Sequence, residues 1–175
     1  MAEYPSQLVK RRVLFDGTPV TIRPIRREDL GLEQDFMQHL SADSRYYRFM
    51  ATLRELPRKK LEYFTDIDYK RHMALVATVT REGKELEIGV ARYVATEKPA
   101  VCEFAITVDD AWQGTGVAGL LMISLQDAAR KNGLATMEGI VMTTNFKMLK
   151  FAKQLGFKIR REPGDGDTVR IELQL

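Results

Sequence analysis

Apolar positions recur at two different periods along this chain, and the switches between them mark its elements. The stretch LVKRRVLFDGTPVTIRPI is rich in strand-forming residues and is broken by Asp16-Gly17, a dipeptide suited to a tight turn. It predicts a hairpin with strands over residues 8–15 and 19–25. A helical period follows in REDLGLEQDFMQHLS. Leu30, Phe36, Met37 and Leu40 fall near one face, and Glu28 and Asp29 suit the positive N-terminal end. ADSRYYRFM predicts a second short helix, and PRKKLEYFTDI a third with Pro57 in its first turn.

The period then drops to two. HMALVATVT, LEIGVARYVA and VCEFAITV read as three strands in series, the first two joined by a turn in REGKE. Short connections between consecutive strands imply antiparallel pairing. A long helix is predicted over residues 116–132, where Val117, Leu120, Leu121, Ser124, Leu125 and Ala128 recur at helical spacing and Gly133 is placed to cap the end. TMEGIVM is the next strand. NFKMLKFAKQLG is a helix with Asn145 at its N-cap and Gly156 past its end. FKIRRE and TVRIELQL close the chain as a strand pair across PGDGD. The order ββααα-βββ-α-β-α-ββ predicts an α+β domain with a mixed, mostly antiparallel sheet flanked by helices, not the regular alternation of a doubly wound fold. One domain over residues 1–175 is expected, with residues 1–7 a flexible tail.

Composition narrows the chemistry. The chain of 175 residues is 45% hydrophobic and 29% charged, ordinary values for a soluble protein. Net charge is +3 with both signs interspersed. Only RELPRKK is densely basic, and such a run is usually a solvated helix face, so a nucleic-acid partner is not expected. No apolar run has the length of a membrane span, and the N-terminus lacks the apolar core of a signal peptide. With a single cysteine, Cys102, no disulfide framework is possible within the chain, and a cytoplasmic setting is the simplest expectation. His39 and His72 lie in different elements without paired ligands, so no metal is expected.

WQGTGVAG holds the candidate chemistry. Gly114, Gly116 and Gly119 give G-x-G-x-x-G, the pattern of a dinucleotide-binding turn. Its context contradicts that reading. DDAWQ intervenes between the strand and the first glycine, too little chain follows for the further βα units, and Glu138, the acidic residue about 20 positions on, lies near the start of its strand. No Gly-Lys-Ser/Thr follows, which excludes a Walker loop. What survives is a strand entering a glycine-rich turn that opens a helix. Free amides at such a helix start point at an anion, so a phosphate or pyrophosphate site is expected.

ITVDDAWQGTGVAGLLM resembles the acyl-CoA-binding signature of the GNAT superfamily of N-acetyltransferases, Q/R-x-x-G-x-G/A, met here by Gln113, Gly116 and Ala118. The element order matches that fold across almost the whole chain, and Asn145 with Leu155-Gly156-Phe157 stands where the family keeps its N…LGF segment. DGTPVTIRPIRREDL, SRYYRFM, CEFAITVDDAWQGTG and GIVMTTNFKMLKFAKQLGF also resemble bacterial protein lysine acetyltransferases that modify acyl-CoA synthetases. The resemblance implies that the backbone of Gln113, Gly114, Thr115, Gly116, Val117, Ala118 and Gly119 holds the pyrophosphate of acetyl-CoA. It also implies that the preceding strand splays from its neighbour, so that main-chain groups near Ile106 and Val108 pair with pantetheine and one amide polarises the thioester carbonyl. Asn145 would contact the CoA arm, cap its helix, or do both.

Glu103 is the odd residue inside VCEFAITV, because carboxylates are rare in strands and costly to bury unpaired. Alternation puts Glu103, Ala105 and Thr107 on one face and Cys102, Phe104, Ile106 and Val108 on the other. Acetyl transfer needs a neutral amine. A lysine of pKa about 10.4 is only roughly 0.04% neutral at pH 7, and supplying that form costs about 4.6 kcal/mol. In the lysine acetyltransferases that the chain resembles, the catalytic glutamate occupies the matching EFA position, which makes Glu103 the expected base. The bland alternative is an exposed glutamate, or one paired with Arg92. The family's tyrosine acid is absent, its aligned position being Ala152. Cys102 is expected to be a small buried hydrophobe. The acceptor implied is a protein lysine, on an acyl-CoA synthetase or another protein. The alternatives are a small amine or amino acid, or a CoA-binding sensor without turnover. Tyr46, Tyr47 and Phe49 are candidates for an acceptor tunnel, or for ordinary packing.

Overall fold

The computed structural model describes residues 2–49, 56–161 and 166–175. Met50, Arg54, Glu55 and most of PGDGD therefore lie outside the described residues. Eight strands form one sheet in the order β1-β2-β3-β4-β5-β6-β8-β7. They are β1 Lys10–Val13, β2 Pro19–Pro24, β3 His72–Arg81, β4 Lys84–Ala95, β5 Val101–Val108, β6 Thr136–Met142, β7 Lys158–Arg160 and β8 Thr168–Gln174. Every neighbouring pair is antiparallel except β5 with β6. The helices are α1 Leu30–His39, α2 Ala42–Phe49, α3 Arg58–Thr65, α4 Val117–Lys131 and α5 Phe146–Gln154. No helix among the described residues is long and apolar enough to cross a membrane.

The elements follow the sequence patterns closely, and the departures have local causes. The first strands are shorter than expected because the turn at Asp16-Gly17 is wider: Leu14 donates to Thr18 and accepts from Gly17, which takes Leu14 to Thr18 out of the ladder. Between β3 and β4 the chain reverses at Glu82-Gly83, both left-handed at φ 51° and 76°. Pro57 sits at the N-cap of α3 rather than inside it. Within residues 1–7, expected as a flexible tail, Tyr4 is held against the sheet. The Tyr4 hydroxyl donates to the Pro24 carbonyl at 2.7 Å, and its ring stands edge-on to Tyr69.

The two faces of the sheet bury separate cores. On one, Phe36 and Met37 of α1, with Leu40 just past its end, close over Ala74, Val76 and Val90. On the other, Leu121, Met122 and Leu125 of α4 pack with Leu75, Ala91 and Tyr93, joined by Ala152 of α5. Short α2 buries no side chain completely and lies near β5. The parallel junction of β5 and β6 positions the candidate site.

Candidate functional site

Only three residue pairs join β5 to β6: Val101 with Thr136, Cys102 with Met137, and Glu103 with Glu138. Past Glu103 the strands have no mutual partners, although β5 runs to Val108 and β6 to Met142. A cleft of about 930 Å³ opens there. Phe104 stands where the fork begins. Its ring lies against Gly139, the residue that the register would pair with it next, and 5.0 Å from the ring of Phe157. Phe157 follows Gly156, whose left-handed backbone (φ 93°) turns the chain out of α5.

Strand alternation aims the free edge of β5 into the cleft. Val101 accepts from Thr96, and Asp109 donates to Ile88, so these odd-numbered positions face β4. Main-chain groups of Phe104, Ile106 and Val108 therefore face the other way. The Gln113 side chain reaches the Val108 carbonyl at 3.4 Å.

At the wide end of the fork, a short 3-10 turn, Asp110–Trp112, leads into the glycine loop and is capped by Asp109, which accepts from the Ala111 amide. Gly114 and Gly116 are both left-handed, at φ 79° and 94°. Gly116 is the N-cap of α4 and has no side chain to satisfy the first helical amides. Those of Val117, Ala118 and Gly119 are left pointing out of the helix end, as an anion site requires. Of the residues expected at the donor site, Ile106, Val108, Gln113, Gly114, Gly116, Val117, Ala118, Gly119 and Asn145 line the cleft. Thr115 does not: its hydroxyl donates to Trp112 and its carbonyl accepts from the Phe15 amide, which turns it toward the first hairpin. Asn145 both caps α5, accepting from Met148 at 3.3 Å, and lines the cleft.

Glu103 stands at the closed end of the fork, just outside the lining residues, with an exposed side chain. It shares a face with Ala105, Thr107 and, across the strand pair, Glu138. Arg92 is not its partner. Arg92 lies 3.9 Å from Glu33 and donates to His72 Nε2 at 3.0 Å. The basic group that feels Glu103 is Arg48 of α2, which lines the cleft. Burial and Arg92 push its guanidinium down to about 10, against the pull of Glu33 and then Glu103. Thr107 is buried, with no hydrogen-bond partner for its hydroxyl among the described residues.

Beneath α1 lies a cluster that the sequence did not disclose. Glu33 and Glu87 are fully buried beside each other, and among the described residues no group other than the facing carboxyl hydrogen-bonds to either. Burial raises both, opposed by the Arg92 charge, and Glu87 is raised well above the ordinary range because Glu33 adds to it. Like charges in one dry site favour a single proton held between them. Burial, then Arg92, push His72 down to about 4.

Short α2 bridges the mouth. Ser44 donates to Asp110 at 2.7 Å, and the Tyr47 hydroxyl approaches the Thr144 carbonyl at 3.4 Å. Of the three aromatic residues weighed for an acceptor tunnel, Tyr47 alone lines the cleft. Tyr46 is exposed, and Phe49 packs on the core under α1. Cys102 is buried on the far face from Glu103, its thiol pushed up to about 12 by burial. Ala152 is fully buried and supplies no acid. Ser44, Arg48 and Phe15 also line the cleft and were missed. Only Phe15 left a signal, a large apolar residue inside a turn.

A family model described as an acetyltransferase (GNAT) domain matches residues 20–158. The chain is 38% identical to "Acetyltransferase PA5475" of Pseudomonas aeruginosa, over 93% of this chain and 87% of that one. It is 32% identical to "Acetyltransferase Pat" of Mycolicibacterium smegmatis over 77% of its own length, but that match spans only 40% of the longer relative. Among solved structures, the GNAT domain of S. lividans PAT superposes with a TM-score of 0.90 at 33% identity, covering 99% of this chain and 100% of that one.

Proposed function

The chain belongs to the GNAT acetyltransferase family, and from that premise we propose that it transfers the acetyl group of acetyl-CoA directly to the side-chain amine of a protein lysine, with Glu103 as the base. The observation that carries this reading is the position of Glu103 at the last β5–β6 pair, where the donor cleft begins. The uncapped amides at the start of α4 suit the pyrophosphate, and the main-chain edge of Phe104 and Ile106, with the Val108 amide, suits the amide-bearing pantetheine arm. Its exposed carboxylate can be reached by a side chain presented from outside, which favours a protein lysine over an enclosed small amine. Similarity to acetyltransferase Pat supports the same choice. Acyl-CoA synthetases are the first substrates to test, on the sequence resemblance.

In this scheme Glu103 takes a proton from the lysine ammonium, directly or through water. The neutral nitrogen attacks the thioester carbonyl carbon, the C–S bond breaks, the nitrogen gives up its second proton to solvent to become the amide, and the thiolate leaves and takes a proton from solvent, since Ala152 provides none. One of the β5 amides facing the cleft stabilises the oxygen of the tetrahedral intermediate. No step passes through Cys102, whose thiol is held protonated and on the wrong face.

The test is thiol release from acetyl-CoA against a panel of acyl-CoA synthetases, lysine peptides and small amines. Glu103→Gln is expected to lose turnover while retaining acetyl-CoA affinity, and normal turnover by that variant would remove Glu103 from the role. Consumption of small amines alone would move the acceptor to that class. Binding of CoA with no amine consumed would favour a sensor.

A further inference from the structure

Phe15 and Phe146 are the two most exposed large apolar side chains among the described residues, at 86% and 76%, and both border the same cleft. A single exposed phenylalanine calls for no explanation. Two flat rings at one mouth do.

Neither is carried on a loose segment. Phe15 sits in the closed turn between β1 and β2, where Leu14 donates to Thr18 and Asp16 accepts from the Thr18 amide. That turn docks on the glycine loop, because the Phe15 amide donates to the Thr115 carbonyl at 3.0 Å. The ring covers Gly116 so closely that a Cβ there would stand 2.9 Å from Cζ. Phe146 is the first residue of α5, fixed by the Asn145 cap before it. Next to it, exposed Lys147 lines the cleft as well.

The argument rests on the donor reading above. Acetyl-CoA is a linear molecule with its acetyl group at one end and its pyrophosphate between pantetheine and adenosine 3′-phosphate. With the acetyl end at Glu103 and the pyrophosphate at the start of α4, the nucleotide half has one direction left, outward past the glycine loop. Phe15 stands over that loop, and Phe146 borders the same cleft from the start of α5. We infer that Phe15 and Phe146 form a stacking platform for the adenine of the donor, with Lys147 beside it for the 3′-phosphate. A purine face gains from an aromatic surface without needing a hydrogen-bond code, which fits a wet rim of rings and one cation.

The test compares a donor that has the nucleotide with one that lacks it. Phe15→Ala and Phe146→Ala are each expected to raise KM for acetyl-CoA, and the inhibition constant of 3′,5′-ADP, on the order of tenfold. Turnover of S-acetylpantetheine, which has no adenine to stack, is expected to stay unchanged. Equal loss with both donors, or no loss with either, would overturn the platform, as would a raised KM for acetyl-CoA with unchanged inhibition by 3′,5′-ADP. Phe15→Trp keeps the stacking surface and adds a reporter. Its emission is expected to be quenched by 3′,5′-ADP beyond the wild-type response of Trp112, and CoA binding without that extra quench would also overturn the inference. A wild-type protein that binds neither CoA nor 3′,5′-ADP would instead remove the donor reading itself.

Discussion

A ring carbon of Phe104 lies 2.8 Å from the point where a Cβ on Gly139 would stand. The two residues occupy the register position just beyond the last β5–β6 pair, so the ring fills the angle of the fork over a residue with no side chain. Gly139→Ala forces the ring against Phe157 or the strands apart. Overpacking of this kind is expected to cost about 1–3 kcal/mol of stability and to raise KM for acetyl-CoA. Thermal unfolding and donor titration check both, and an unchanged protein would mean that the ring moves aside freely.

Cys102 is expected to be dispensable. Its thiol is buried and raised to about 12, so native protein should resist alkylation at neutral pH and label fully only when unfolded. Cys102→Ala is expected to keep kcat within a few-fold. A large loss of kcat with intact donor binding would count against direct transfer.

Asn145 separates capping from donor contact. Replacement by Ala removes the acceptor for the Met148 amide and is expected to cost about 1 kcal/mol. Replacement by Asp keeps the cap but adds a negative charge to a cleft read as holding a pyrophosphate. Stability is then expected to hold while acetyl-CoA affinity falls several-fold, as equilibrium unfolding and titration would show.

The pH dependence of stability carries two opposed contributions from the cluster under α1. His72 is lowered to about 4 against an ordinary 6.5, so the unfolded chain binds its proton more readily. Its contribution is complete above 6.5 and is lost as pH falls from 6.5 to 4. Glu87 is raised well above its ordinary 4.5, so its contribution is complete below 4.5 and is lost as pH rises above that value. Between 4.5 and 6.5 the two slopes oppose, and only difference curves resolve them. Subtracting the His72→Gln stability profile from wild type is expected to leave a difference rising with pH in that window. The same subtraction for Glu87→Gln should leave one that falls. Either difference coming out flat would mean that the group titrates alike in folded and unfolded chains.

Most of the fold was legible because the local signals agreed with one another. Asp16-Gly17, the strand-forming run 72–80 and the α4 stripe from Val117 to Ala128 each fixed an element without tertiary help. The glycine turn that opens α4 was legible for the same reason, since its physics stays inside one segment. The Glu33–Glu87–Arg92–His72 cluster was not, because its members come from α1, β3 and β4 and nothing local marks them as neighbours. The place of α2 was legible only in part: Tyr47 was a candidate for the acceptor side, but nothing local in ADSRYYRFM puts Ser44 and Arg48 beside it over the gap between β5 and β6. Thr115 lies outside the cleft lining, with its hydroxyl and carbonyl serving Trp112 and Phe15, and nothing in the loop's sequence marks it off from its neighbours.

The three-pair seam between β5 and β6 has a mechanical meaning. It divides the sheet into a leaf of five strands and a leaf of three, bound along a spine one turn of strand long. Every other pairing that β4, β5, β6 and β8 make with one another has seven rungs. Bending of one leaf against the other therefore falls on the spine. Any residue that lengthens or shortens the spine by one rung would reset the angle between the leaves, and with it the width of the crease.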